Sequence, residues 1–128
     1  MKKILLINSN YYKEISYNLL SSAKKKLTRT KYQISVINVP GIFEIPSVIR
    51  MNIRKFDGFI ALGCVIKGQT PHFDFISKST TDAIMNISVE SKKPVGNGII
   101  TCLNKNQAIA RGKKGREAAN AVKTILSL

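Results

Sequence analysis

Four short apolar runs alternate along this chain with longer amphipathic stretches, and that alternation leaves few folds open. Residues 3–8, 32–39, 58–66 and 95–102 read as strands. Residues 13–28, 45–54, 71 to about 90, 105–111 and 116–127 read as helices. Strands separated by helical crossovers pair in parallel, with helices on both faces of the sheet and right-handed connections. The run Gly58 to Ile66 is apolar throughout, the pattern of a central strand covered on both sides. In the first helix Ile15, Leu19, Leu20, Ala23 and Leu27 recur at helical spacing, and Lys24, Lys25 and Lys26 sit near the negative end of its dipole. Pro46 suits a first helical turn. Thr70 is expected as an N-cap with Pro71 as first helical residue, and Phe73, Ile76, Ala83, Ile84 and Ile87 form the inner face of the helix that follows. Gly112 and Gly115 separate the last two helices. Without linker, repeat or low-complexity tract, residues 1–128 are expected to form one domain.

The charge balance is one-sided, with 21 Lys and Arg against 7 Asp and Glu, a net +14. Such a balance can signal a nucleic-acid partner. Here the cations are dispersed along the sequence, in Lys24–Lys26, Arg50, Arg54-Lys55, Lys92-Lys93 and Lys113-Lys114, with no basic tail and no interleaved aromatics. A solvated basic surface is expected, and no specific nucleic-acid partner. The two cysteines, Cys64 and Cys102, lie in apolar runs, and with one histidine they are too few for a disulfide framework or a zinc site. They read as small buried hydrophobes in a reducing cytoplasm, with no metal. No apolar run is long enough to span a bilayer. The opening run is short, ends in Asn8-Ser9-Asn10 and lacks a small-residue cleavage site, so it reads as a strand rather than a signal peptide.

In open parallel sheets, ligands bind beyond the carboxyl ends of the strands. That rule selects Ser9 to Tyr12, Pro40 to Glu44, Lys67 to His72, and the region after Thr101. In the third of these, Gly68 permits close backbone approach to a ligand. A helix opening near Thr70-Pro71 presents free N–H groups to an anion such as phosphate. His72, the sole histidine, falls in the first turn and could move protons beside that anion, or be a hydrogen-bonding surface residue. Glu44 could accept substrate hydroxyls or simply favour a helix start. Tyr11 or Tyr12 could stack on a planar heterocycle or pack in a core or interface. Arg111 could clamp a phosphate or cap a helix.

The same segments resemble the lumazine synthase family over essentially the whole chain. Val39-Pro40-Gly41-Ile42-Phe43-Glu44-Ile45-Pro46 is similar to its VPGAFEIP element. Leu62 to Asp74 is similar to its LG-x-VI-(R/K)-G-x-T-x-H-(F/Y)-(D/E) element. Pro94 to Thr101, with Gln107-Ala108 and Arg111, resembles its fourth strand and following helix, and Lys114-Gly115 its NKG element. The resemblance implies a three-layer α/β/α sandwich with a four-stranded parallel sheet, flavodoxin-like. It implies an enzyme without cofactor that condenses 5-amino-6-(D-ribitylamino)uracil with 3,4-dihydroxy-2-butanone 4-phosphate to 6,7-dimethyl-8-ribityllumazine. Position by position, it assigns pyrimidine stacking to Tyr11. It assigns ribityl-pyrimidine binding to Ile42, Phe43, Glu44, Cys64, Val65, Ile66 and, across a subunit interface, Asn97. Gln69, Thr70 and Arg111 would hold the phosphate, and His72 would transfer protons. Asn97 stands where many members have Phe, Asn10-Tyr11-Tyr12 where Arg-Phe-Asn is usual, and the Arg111–Lys114 stretch is short, so either Lys113 or Lys114 matches the family's nearby lysine.

The alternative of a binding protein without catalysis is disfavoured by the joint presence of Glu44, His72 and Arg111. The resemblance also implies a ring. Members that build sixty-subunit shells usually carry a segment ahead of the first strand, which begins here at Lys3 or Ile4, so a pentamer is expected over a decamer or a shell.

Overall fold

The structure is a computed structural model that describes all of residues 1–128. Its elements are β1 (Lys3–Ser9), α1 (Lys13–Leu27), β2 (Gln33–Val39), a 3-10 turn (Ile42–Glu44), α2 (Ile45–Met51), β3 (Gly58–Ile66), α3 (His72–Ser91), β4 (Val95–Cys102), α4 (Lys105–Ala110) and α5 (Lys114–Leu126). The four strands pair in parallel in the order β2-β1-β3-β4. This is the α/β sandwich that the alternation predicts.

Strand periodicity divides the core in two. Ile4 and Leu6 of β1, Ile60 and Leu62 of β3 and Ile100 of β4 face Leu19, Ala23, Ala119 and Val122 of α1 and α5. Leu5, Ile7, Phe59, Ala61 and Ile99 face the other way, onto Ile45 and Ile49 of α2 and Ile84 of α3. Each fully buried Leu or Ile contributes about 1.5–3 kcal/mol relative to leaving it exposed, so the two inner strands dominate the stability of the sheet.

Five local readings change. The helix over 45–54 stops at Met51. Asn52 ends it, donating its side-chain amide to the Val48 carbonyl at 2.8 Å. Residues 42–44, left without an element in the sequence, form a 3-10 turn closed by Glu44, whose Oε1 accepts the Gly41 N–H at 3.0 Å. The long helix begins at His72, with Pro71 in the N-cap position; Thr70 Oγ1 still accepts the His72 N–H, at 3.4 Å. Its inner face is less buried than the spacing suggests: Ile84 is buried, Ile76 and Ile87 only partly, and buried Thr80 takes a place not expected of it. The last helix starts at Lys114, so Gly115 lies inside it rather than before it. A Cβ on Gly115 would stand 2.0 Å from the Leu19 carbonyl oxygen, so glycine there serves the contact of α5 with α1 and not a chain break. Gly96 does the same between β4 and α5, where a Cβ would lie 2.3 Å from the Ala118 carbonyl oxygen.

Candidate active site

The chain leaves β1 to one side, towards β2, and returns to the other side for β3 and β4. Parallel sheets bind ligands where the strand order reverses in this way, just beyond the carboxyl ends of the strands. A cavity of about 460 Å³ lies there. The end of β1 and the loop after it supply Ser9, Tyr11 and Tyr12; the segment after β2 supplies Gly41 to Glu44; the end of β3 supplies Cys64, Val65 and Ile66; the first turns of α3 supply His72 and Ile76.

Local chemistry fixes each wall. Asn10 N–H donates to the Val39 carbonyl at 3.0 Å, tying the loop after β1 to the end of β2. Ser16 Oγ donates to the Ser9 carbonyl, fastening the start of α1 beneath that loop. Tyr12 packs on the core while Tyr11, 72% exposed, stands at the mouth. The two rings meet edge-on at 4.9 Å and 88°. This division of labour makes Tyr11 the ring free to take a planar ligand. The Tyr12 hydroxyl is held above its ordinary pKa by burial, then by Tyr11 and Cys64. The Glu44 carboxylate already holds the Gly41 amide through one oxygen, so it serves as a turn former whose second oxygen remains for a ligand.

Cys64 is 6% exposed and touches Cys102 on the neighbouring strand. Burial first, and then Cys102, pushes its thiol from 9.0 up to about 12. On unfolding the thiol would ionise near its ordinary value, so between roughly pH 9 and 12 the unfolded chain holds fewer protons and stability falls as pH rises. Because the thiolate is the nucleophile, alkylation of Cys64 by iodoacetamide at pH 8 is expected to run on the order of 10³-fold slower than that of a free thiol. Mass spectrometry of timed samples checks this, and alkylation at the free-thiol rate would mean the thiol is not held in its neutral form.

Not all the sequence-selected residues meet. Gln69 and Thr70 are exposed on the loop at the cavity's edge and do not line it. Asn97 and Arg111 line a second cavity, of about 540 Å³, beside edge strand β4, together with Thr101, Lys113, Lys114 and Glu117. Arg111 is held there by a hydrogen bond from Nη1 to the Thr101 carbonyl at 3.1 Å. The chain thus carries an apolar, aromatic cavity with the histidine and a separate basic cavity. Ser9, Gly41 and Ile76 line the first cavity without having been selected individually, and Tyr12, the alternative to Tyr11, lines it too. Ser9 was findable as the last residue of a strand, and Ile76 as one helical turn beyond His72. No three His, Cys, Asp or Glu side chains gather as a metal site.

Comparison with known proteins places these features in a family. The family model described as 6,7-dimethyl-8-ribityllumazine synthase matches residues 1–128. The chain is 38% identical to the protein of that name from Agrobacterium fabrum, over 98% of this chain and 93% of the relative. It is 36% identical to that from Bartonella bacilliformis, over 98% and 88%. It is 36% identical to 6,7-dimethyl-8-ribityllumazine synthase 1 of Rhizobium meliloti, over 98% and 90%.

Proposed function

The chain belongs to the 6,7-dimethyl-8-ribityllumazine synthase family, enzymes of riboflavin biosynthesis, and we propose that it condenses 5-amino-6-(D-ribitylamino)uracil with 3,4-dihydroxy-2-butanone 4-phosphate. The observation that carries the reading is the switch-point cavity, which brings Tyr11, the Ile42–Glu44 turn, Cys64–Ile66 and His72 around one space. A pyrimidine fits against Tyr11, with Ile42, Phe43, Cys64, Val65 and Ile66 forming the walls and Glu44 accepting ribityl hydroxyls. The phosphate sits at the start of α3, whose positive dipole end and flanking Gln69 and Thr70 suit an anion. The 5-amino group attacks the ketone and loses water to give a Schiff base. A proton leaves carbon, phosphate departs, and the ribityl-bearing nitrogen closes the ring with loss of a second water. His72, beside the phosphate, moves protons in these steps, and the reaction uses no cofactor. The free, buried thiols suit a reducing cytoplasm. No helix is long and apolar enough to cross a membrane.

The two cavities, as half-sites, support a ring in which Asn97 and Arg111 of one subunit complete the cavity of the next. Exposed apolar side chains on the same molecule need cover: Phe43 is 70% exposed, Phe75 68% and Val89 67%. A cyclic pentamer joins identical pairs of half-sites without leaving one unfilled. A lone subunit with full activity, measured by light scattering alongside turnover, would contradict the ring.

Formation of the lumazine product, followed by absorbance and fluorescence, tests the function: product is expected only when both substrates are present. Arg111→Ala is expected to raise KM for the sugar phosphate about 10–100-fold, the value of a lost charged hydrogen bond, and to change KM for the pyrimidine much less. Equal losses for both substrates would assign Arg111 to holding the Thr101 carbonyl instead.

A further inference from the structure

Although dispersed in sequence, the basic residues are gathered in space. In a parallel α/β fold every strand begins, and every crossover helix ends, at the same pole. Here Lys2 Nζ donates to the Leu126 carbonyl at 3.1 Å, and Lys93 Nζ donates to the Phe56 carbonyl at 2.9 Å, which ties the start of β1 to the end of α5 and the start of β4 to the turn before β3. Thirteen of the 21 cations lie at this pole, against two of the seven acids, Asp57 and Glu90. They come from the end of α1 and the turn after it (Lys24 to Lys31), from α2 and its turn (Arg50, Arg54, Lys55), and from the strand starts and the end of α5. The pole therefore carries most of the molecule's net +14 and lies opposite the cavity. Four helices end there, and at about −0.5 charge each their dipoles offset roughly two of these cations. Helix capping thus explains only a small part of the excess.

We propose that this pole is a docking surface for the phosphate backbone of double-stranded nucleic acid, bound without sequence preference. The composition fits that ligand. Ten of the thirteen cations are lysines, point charges suited to phosphates rather than to bidentate reading of bases. The exposed aromatics, Tyr11, Tyr17, Phe43 and Phe75, all lie in the cavity-side half, and the pole has only Tyr32 and Phe56, both partly buried against the core, which make no row of platforms for successive single-stranded bases. The helices meet the pole end-on, so no amphipathic helix lies along it to enter a bilayer. Asp57, the one acid at the strand starts, is engaged by the backbone: its Oδ2 accepts the Lys3 N–H at 2.8 Å.

The test is a titration of a labelled mixed-sequence DNA duplex at several salt concentrations. It uses the wild-type protein, the pole triple Lys24→Gln/Lys31→Gln/Lys55→Gln, and an equally charged triple at the opposite end, Lys13→Gln/Lys105→Gln/Arg116→Gln. All six side chains are exposed, and melting curves verify that both triples fold. The pole triple is expected to lower the slope of log K against log salt by about 0.9 per lost phosphate contact, or roughly 2.7, while the opposite triple leaves it within about 0.5. Three results would overturn the proposal: equal losses in both triples, no saturable binding at about 0.15 M salt, or tighter binding to phosphatidylglycerol vesicles than to the duplex. The pole does not touch the cavity, so lumazine formation is expected to be unchanged in the pole triple, and the two readings stand or fall separately.

Discussion

His72→Ala is expected to lower turnover by about 10²–10⁴-fold while leaving the thermal midpoint of the protein unchanged. The imidazole is exposed in the first turn of α3 and lines the cavity, and the residue's hydrogen bond within the chain is made by its backbone N–H. Removing the ring therefore takes away a proton carrier without opening the core. Turnover with both substrates saturating separates this from a binding defect, and added imidazole should restore part of the lost rate. A variant with wild-type turnover would remove His72 from the chemistry and leave it a surface residue at a helix start.

The second large effect is structural. In an exposed helix interior, Gly→Ala stabilises by about 1 kcal/mol, and helix propensity alone predicts such a gain for Gly115→Ala. Packing predicts the reverse. The new Cβ would lie 2.0 Å from the Leu19 carbonyl oxygen and 2.6 Å from Ser22 Oγ. The first is backbone, so α1 and α5 must part, and overpacking of this kind costs about 1–3 kcal/mol or more. Ser22 Oγ also donates to the Gly112 carbonyl at 2.7 Å and accepts the Arg116 N–H at 3.1 Å, so a forced shift disturbs the entry to α5 as well. Gly115→Ala is thus expected to be net destabilising, and Gly115→Val more so by several kcal/mol, the β-branch adding its own helix penalty. Gly68→Ala, with open space around the added methyl, should stay within about 0.5 kcal/mol of wild type. Urea unfolding of the three variants decides the matter, and a stabilised Gly115→Ala would show that the two helices are not in close contact.

The sheet was legible because its signals are strong and local: an all-apolar β3, a short apolar run in β1, and helical spacing from Ile15 to Leu27. What escaped depended on contacts distant in sequence. Gly115 looks like punctuation until Leu19 is placed against it. The 3-10 turn at Ile42–Glu44 is too short to show a period, and its only sequence sign is Glu44 three residues after Gly41, the spacing of a reciprocal cap. In the site, the rule of strand carboxyl ends located the cavity. It could not show that Arg111 and Asn97 would stand apart from His72, because that separation arises from the lateral position of β4 at the sheet edge. The spatial grouping of charge was hidden for a similar reason. Lysines at strand starts and helix ends are scattered along the chain and adjacent in the fold.

The central claim is that the cavity with His72 and the basic half-site with Arg111 form one catalytic site across two subunits. Mixing His72→Ala and Arg111→Ala subunits tests it most directly, at a sugar phosphate concentration well below the raised KM of the Arg111→Ala variant, where each is nearly inactive alone. After co-refolding, and with mixed rings verified by mass spectrometry, random assembly in a cyclic oligomer gives about a quarter of the interfaces both intact halves. Lumazine formation should then recover to about a quarter of the wild-type rate per site. Mixed rings no more active than the sum of their parents would contradict the shared site.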